Sequence, residues 1–600
     1  MSDRTVYSLL EEAASARGDA PALYEPIHDG KSRSYLAHSW RKYKAEVEEA
    51  AAGLRCLGLQ PGDIVALHAD TSRRFYIADL GIMAGGGISA ALYTSYPAAE
   101  LVKTIRACDA RMVFVQKPEM LRALFSAADP PLEVRWILLE GEYEDCLTLE
   151  ALQVLGRTAL AGRPALLEEV KYGVKPDDYA ILYLTSGATG EPKMALVKHS
   201  ALVANVDMGP QVVPLGPQDR SIAFLPSAHI TQRVVMELMP IRLGMPVWFS
   251  EGLSRLPHEL KAVQPTFLIA PPRVWERMYA SICTEIRRRN PLTQRVFYGA
   301  LGIGAEVARR KLQGEPIPAW MERARALAER LIFRKIRERL GGELRIAISG
   351  AAPLGKDLAD FFAAIGLTIY EGYGLTEGGV LALNPVDRCK SGSIGKALPG
   401  VEYRIMDDGE LVFRGPTLFS GYYKDPAATS TVLRDGWLHT GDVGEADNEG
   451  YLYITGRKKE VLVASNGKKI YPSMIESLYK MEPLINQVLL IGDRQPYVTA
   501  IFSLNWSMAE TVRGMEPYKG KAPAELLKAA PLQQEVKRLV ARVNKQLAPF
   551  EQIRKYHVLD REFSIENGEL TPTMKIRRSR VLENYRKVVS DLYMGRIEEA

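Results

Sequence analysis

The stretch that most narrows what this chain can fold into is Leu182-Tyr183-Leu184-Thr185-Ser186-Gly187-Ala188-Thr189-Gly190-Glu191-Pro192-Lys193. β-favouring residues run into a loop with hydroxyls at 185, 186 and 189, glycines at 187 and 190, and a lysine. Glycine reaches backbone angles that other residues avoid, so such a loop can turn amides, hydroxyls and ammonium toward one anion. A polyphosphate is the natural candidate. The P-loop pattern G-x-x-x-x-G-K-[ST] is not met, because Pro192 stands where its last glycine belongs and Met194 follows the lysine. An ordinary polar turn uses the same letters, so this segment alone leaves both readings open.

The surroundings favour the anion. Strand-like runs at Ile64-Val65-Ala66-Leu67, Met112-Val113-Phe114-Val115 and Trp136-Ile137-Leu138-Leu139 alternate with helical patterns such as Ala45 to Leu57. That alternation implies a largely parallel sheet covered on both faces, with ligands outside the carboxyl ends of its strands. A loop directly after a strand over 179–184 falls there. Residues 5 to 57 otherwise read as helices around a short strand near Ala22-Leu23-Tyr24.

Six hundred residues exceed a single core, so two or more domains are expected. A net charge of +5 is slight for that length and gives no reason to propose a nucleic acid partner. The five cysteines are scattered without a C-x-x-C pair, which indicates neither a disulfide framework nor a zinc site and fits a reducing cytosol. The N-terminus lacks the apolar core of a secretion signal. The most membrane-like run, Ile77 to Leu92, carries Asp79 and is too short to span a bilayer. A cytoplasmic protein is expected, with peripheral membrane contact open.

Further along, Ala223-Phe224-Leu225-Pro226-Ser227-Ala228-His229 reads as a strand ending in a histidine. Thr284 to Leu340 reads as helical and dense in arginine. A solvated helix face explains that density; a basic surface against anionic lipid explains it too. Arg345 to Ser349 reads as a strand breaking into the small-residue loop Gly350-Ala351-Ala352-Pro353-Leu354, which lets a flat ring approach the backbone. Leu367 to Tyr370 reads as a strand ending in the loop Glu371-Gly372-Tyr373-Gly374-Leu375-Thr376-Glu377. That loop joins a π-face, a hydroxyl and a carboxylate, groups suited to a base and a hard cation. Residues 401 to 455 read as short strands with turns, and Asp442 taken alone is a turn residue. Gly456-Arg457-Lys458-Lys459-Glu460 and Ser465-Asn466-Gly467-Lys468-Lys469 read alone as basic loops, and Thr571-Pro572-Thr573-Met574-Lys575 as a basic tail.

Taken in order, these segments resemble the adenylate-forming superfamily of acyl-CoA synthetases, luciferases and peptide-synthetase adenylation domains. Its loop usually reads T-S-G-[ST]-T-G-x-P-K-G, from which Ala188 and Met194 depart. The segments at 223–233, where Gln232 replaces a glutamate, and at 264–276 and 345–354 are most similar to long-chain fatty acyl-CoA synthetases. The resemblance implies an α/β fold: a large N-terminal domain of parallel-rich sheets packed with helices (1–457), including a β-barrel-like subdomain. A small mobile α+β domain (458–600) follows.

It also implies roles. Thr185, Ser186, Gly187, Thr189, Gly190 and Lys193 would hold ATP phosphates. Gly350, Ala351, Ala352, Glu371, Gly372, Tyr373, Gly374 and Thr376 would hold the nucleotide, with Tyr373 on adenine. Asp442 and Arg457 would take the ribose, and Glu377 the Mg²⁺ bound to ATP. His229 and Gly350 would line the acyl pocket, Lys459 would be the hinge, Gly467 would border the CoA thiol route, and Lys575 would be the catalytic lysine. The implied reaction joins a fatty acid to AMP with loss of pyrophosphate, then to CoA. Transfer to an acyl carrier protein and a non-catalytic nucleotide- or acyl-binding relative are the alternatives; a homodimer is left open.

Overall fold

The computed structural model describes residues 3–29, 32–144, 146–185, 193–464, 468–571 and 574–594. In strand Ile64–His68, Val65 and Leu67 face one buried cluster while Ile64 and Ala66 face another. Strands Met112–Val115 and Tyr179–Thr185 divide their side chains between the same two clusters. Side chains alternate along a strand, so a strand apolar at successive positions must be covered on both faces. Tyr179–Thr185, Ile88–Ala91, Ile64–His68, Met112–Val115, Arg135–Leu138 and Leu147–Thr148 lie side by side and parallel in that order. Antiparallel strands Lys193–Lys198 and Gly421–Tyr422 extend one edge.

A second sheet repeats the arrangement. Phe267–Ala270, Ile346–Ser349 and Ile369–Leu375 are parallel neighbours. Phe267, Ile269, Ile346 and Ile348 share the central cluster with Val65, whereas Leu268, Ala270 and Ala347 face a third. The two sheets therefore meet across one core, with further apolar cores on their outer faces. Antiparallel strands Glu402–Ile405, Glu410–Arg414, Trp437–Ala446 and Leu452–Arg457 form the barrel-like unit. Beyond it, Ile485–Ile491, Val498–Leu504 and Ile553–Leu559 pack with helices Pro472–Lys480 and Ala530–Asn544 around a core largely of their own. This is the α/β body and α+β appendage expected.

Three local expectations are corrected. The short strand near residue 23 is the longer Pro21–Asp29, one arm of a hairpin with Ser32–Ser39, and on its other edge Leu23 and Tyr24 pair with Val247 and Trp248, far away in sequence. The strand expected to reach His229 stops at Ala223, ahead of Pro226, and His229 lies in the turn before the π-helical segment Gln232–Leu238. Residues 370–375 continue as strand, paired antiparallel with Gly379–Leu383. A Cβ on Gly374 would lie 2.4 Å from the Gly379 carbonyl oxygen, so the close hairpin requires glycine there.

Candidate active site

Residues from distant motifs come together on neighbouring strands. Asp442 and Arg457 are register partners on neighbouring antiparallel strands. Arg457 Nε stands 3.0 Å from Asp442 Oδ1, while Tyr373 donates its hydroxyl to Oδ2 at 2.6 Å. Tyr373 stacks on Phe413 with ring centroids 5.7 Å apart. Asp442 is nearly sealed, its side chain 4% exposed, whereas Arg457 is 53% exposed. The pair is fixed on one side and open on the other.

Lys575 approaches this pair from the C-terminal domain. The turn that carries it is closed by Thr571, whose backbone N–H donates to the Lys575 carbonyl at 2.8 Å and whose hydroxyl accepts from the Lys575 N–H at 3.0 Å. Met574, at φ 64°, turns the chain there in the left-handed region that favours glycine. Burial, then the Arg457 guanidinium, pushes the ammonium down to about 8, against the opposing pull of Asp442 and Glu460. The same ammonium acts on His229, whose ring burial first and Lys575 second push down to about 3. His229 Nδ1 accepts from Thr231 N at 3.2 Å, so the neutral ring carries its proton on Nε2. A cation and a neutral ring are thus within electrostatic reach of each other.

A second cluster joins the phosphate loop to Glu377. Thr185 and Lys193 are register partners at the base of that loop, with the Thr185 hydroxyl 3.4 Å from the Lys193 carbonyl. Lys193 Nζ lies 4.8 Å from the ring centre of Tyr422, and the Tyr422 hydroxyl donates to Glu377 Oε1 at 2.7 Å. Tyr422 thereby holds the lysine and the carboxylate together. It was not singled out in the sequence.

Glu371 bridges two backbone segments. Its carboxylate accepts from Leu354 N at 3.1 Å and Gly392 N at 3.2 Å, and burial pushes it up to about 7. It braces the loop Gly350–Leu354, in which Ala351 adopts φ 71°. Gly372 is confined by Leu383 Cδ1, 3.1 Å from where its Cβ would be. Thr376 is half-buried beside Glu377 and Lys459 is exposed in the turn after Arg457. Ser186, Gly187, Thr189, Gly190 and Gly467 lie outside the described residues.

The C-terminal domain is held in this arrangement by helix Pro272–Arg287. Arg273 donates to the Asn486 carbonyl at 2.6 Å and also to its side-chain oxygen, Tyr279 donates to Met481 O at 3.2 Å, and Lys480 pairs with Glu276 at 3.6 Å. No motif pointed to this seam beyond the similarity over 264–276.

This combination of a doubly layered α/β body, an Asp–Arg–Tyr cluster and a lysine delivered by a separate domain defines an adenylate-binding class of protein. The AMP-binding enzyme family matches residues 10–423 and the AMP-binding enzyme C-terminal domain matches 459–596, so the chain belongs to this family. A long-chain-fatty-acid–CoA ligase of Mycobacterium bovis, FadD15, is 33% identical over 91% of both chains. The rat long-chain-fatty-acid–CoA ligase ACSBG2 is 28% identical, over 98% of this chain and 93% of its own. In fold, the adenylation domain of a carboxylate reductase from Mycobacterium chelonae superposes with a TM-score of 0.76 at 24% identity, covering 98% of this chain and 91% of that one. ATP-bound MatB from Rhodopseudomonas palustris gives 0.69 at 22%, covering 98% and 100%.

Proposed function

We infer that this chain is a long-chain fatty acid–CoA ligase. A fatty acid carboxylate oxygen attacks the α-phosphorus of ATP, pyrophosphate leaves, and the acyl group becomes a mixed anhydride with AMP. The thiol sulfur of CoA then attacks the acyl carbon, the thiol proton is lost, and AMP departs. Joining two anions is the electrostatic difficulty of the first step, so fixed positive charge and oriented donors are what the protein must supply. The Lys575 ammonium would neutralise charge developing between carboxylate and phosphate, and His229 Nε2–H would orient the carboxylate. Asp442 can accept from both ribose hydroxyls, with Arg457 beside them. The magnesium that accompanies ATP would sit near Glu377, a hard oxygen donor for a hard cation. Thr185 and Lys193 would take the phosphates with the loop they close.

The observation that carries this reading is the convergence of Lys575 on the Asp442–Arg457 pair, across two domains. We place the boundary at 457/458 with Lys459 as the hinge, supported by its exposed turn directly after the Arg457 strand. Rotation there would withdraw Lys575 and let the thiol approach, in keeping with domain motions that complete one site and then another.

Each buried methylene contributes about 0.8 kcal/mol, so six further carbons give roughly 5 kcal/mol, enough to select long chains. The test is exchange of labelled pyrophosphate into ATP across acids of increasing length, followed by AMP release with CoA or a carrier protein as acceptor. Exchange should rise with chain length, and free CoA should release AMP. Background exchange with every acid would overturn the ligase reading; release only with carrier protein would overturn the acceptor.

A further inference from the structure

Helix Ala319–Ala328 continues through a π-helical turn, Glu329–Phe333, into Arg334–Arg337. One side is anchored by buried Met321, Ala328, Phe333 and Ile336. The other is also apolar. Trp320, Leu327 and Leu331 are 62%, 59% and 52% exposed, at spacings i, i+7 and i+11 that share a helical face. Trp320 is the only exposed tryptophan of the seven in the chain. The preceding helix, Pro291–Gln313, adds Leu292 at 72% and Val296 at 52%. Altogether seven of the twenty-one exposed large apolar side chains among the described residues fall between 292 and 331. Scattered exposure needs no explanation, but such concentration does.

The charge around it selects the partner. Residues 284–340 contain fourteen Lys and Arg against six Asp and Glu, a net +8 in a chain whose total is +5. The remainder of the protein is therefore slightly acidic. Arg323 and Arg330 lie on the same stripe as Trp320 and Leu327, both exposed, with no carboxylate in ion-pair range among the described residues. Arg334 is 72% exposed, with Glu338 at 3.0 Å. Exposed aliphatics, one interfacial indole and flanking guanidinium groups are the features of a helix that lies in the headgroup region of a bilayer. No described helix is long and apolar enough to cross one.

We propose that the exposed face of 320–334 docks on an anionic lipid surface, with Trp320, Leu327 and Leu331 inserted and Arg323, Arg330 and Arg334 on the headgroups. This rests on exposure and charge and extends the ligase reading by naming where a poorly soluble fatty acid would be collected. It can fail without that reading failing, because binding to vesicles requires no turnover.

The test uses the full chain with vesicles of phosphatidylcholine alone or with a third of phosphatidylglycerol, at low and high salt. Sedimentation should show binding to the anionic vesicles at low salt only. Each basic residue near such a surface is worth about 1 kcal/mol, or about fivefold, so R323E/R330E/R334E should lower partitioning by 100-fold or more. The variant W320S/L327S/L331S should lower it about tenfold at unchanged pyrophosphate exchange with a water-soluble acid. Equal sedimentation with neutral and anionic vesicles, or binding that survives both triple substitutions, would overturn the proposal. So would a concentration-dependent dimer abolished by W320S/L327S/L331S, which would assign the face to a second copy of the chain.

Discussion

Two aspartate–arginine pairs in this protein share their chemistry and differ in almost everything else. Asp442–Arg457 is open on one side, with about half of the arginine side chain exposed. Asp79–Arg233 is sealed, with 1% and 0% of the two side chains exposed. Arg233 Nε donates to Asp79 Oδ2 at 3.2 Å, the Ser89 hydroxyl and a second guanidinium nitrogen reach Oδ1, and Tyr183 lies under the guanidinium at 5.5 Å. Glu237 stands close by, and burial and then the Asp79 carboxylate hold its carboxyl well above the usual range. Exposure decides what an ion pair does: the open one keeps donors and acceptors for a ligand, and the closed one ties helix Arg73–Ala84 to the segment Gln232–Leu238.

The sharpest way to break that contrast is to remove one partner from each pair. Arg233→Met leaves Asp79 buried without a counter-charge, which should cost about 3–5 kcal/mol. Urea unfolding should show a lowered midpoint, while the folded fraction should bind ATP normally. Adding Asp79→Leu should restore part of the loss, because a buried pair replaced by apolar groups is often neutral. A single variant with unchanged midpoint would mean that the sealed pair does not hold the fold.

That sealed pair also marks the limit of what the residues disclose in order. The strands 64–67, 112–115 and 179–184 were legible because every position is apolar, and both faces proved covered. Asp442 and Lys575 stood out only through the family resemblance, since read alone they are a turn residue and part of a basic tail, whereas Tyr373 sits in a loop that itself joins a ring, a hydroxyl and a carboxylate. Asp79 was visible only as a charge in a membrane-like run, and Arg233 only as the residue after the glutamine that replaces glutamate. Their pairing joins positions 154 residues apart, and period and spacing carry no information at that range. The same applies to Arg273 and Asn486 across the domain seam. Glu371 was legible as a carboxylate in a loop, but its two backbone amides come from residues 354 and 392, which only the fold brings near.

At the open pair the losses should appear in function and leave stability little changed. Lys575→Ala should slow pyrophosphate exchange on the order of 10²–10³, the usual effect of deleting one preorganised electrostatic group. Transfer from supplied acyl-adenylate to CoA should stay nearly intact, and equal losses in both half-reactions would remove Lys575 from its assigned step. Asp442→Asn should raise KM for ATP roughly 10- to 100-fold, since hydrogen bonds to charged groups contribute about 1.5–3 kcal/mol. Its unfolding midpoint should move far less than that of Arg233→Met. A reversed ranking would erase the distinction between the two pairs.

The smallest expected effect is the most specific. The folded protein holds Lys575 at about 8, below the ordinary 10.5. Between those values the native state binds fewer protons than the unfolded chain, so this group's contribution to stability rises with pH across that window. The penalty of a buried ammonium is fully present below about pH 8. If Lys575 acts as proposed, activity should run the other way, because the ammonium is the form that neutralises charge. Pyrophosphate exchange at subsaturating ATP, which reports the free enzyme, should therefore fall as pH rises through 8, about tenfold by pH 9. His229, held near 3, is neutral throughout and adds no second edge. Bound ATP is an anion and should return the ammonium toward its ordinary value, so binding at pH 8.5 should take up protons. Titration calorimetry in buffers of different ionisation enthalpy reads that uptake directly. Asp442 opposes the downward shift of Lys575, so Asp442→Asn should move the edge to lower pH, whereas Asp79→Asn should leave it in place. An edge that moved with Asp79, or a profile flat from pH 7 to 9.5, would show that the open pair does not set the charge of the lysine beside it.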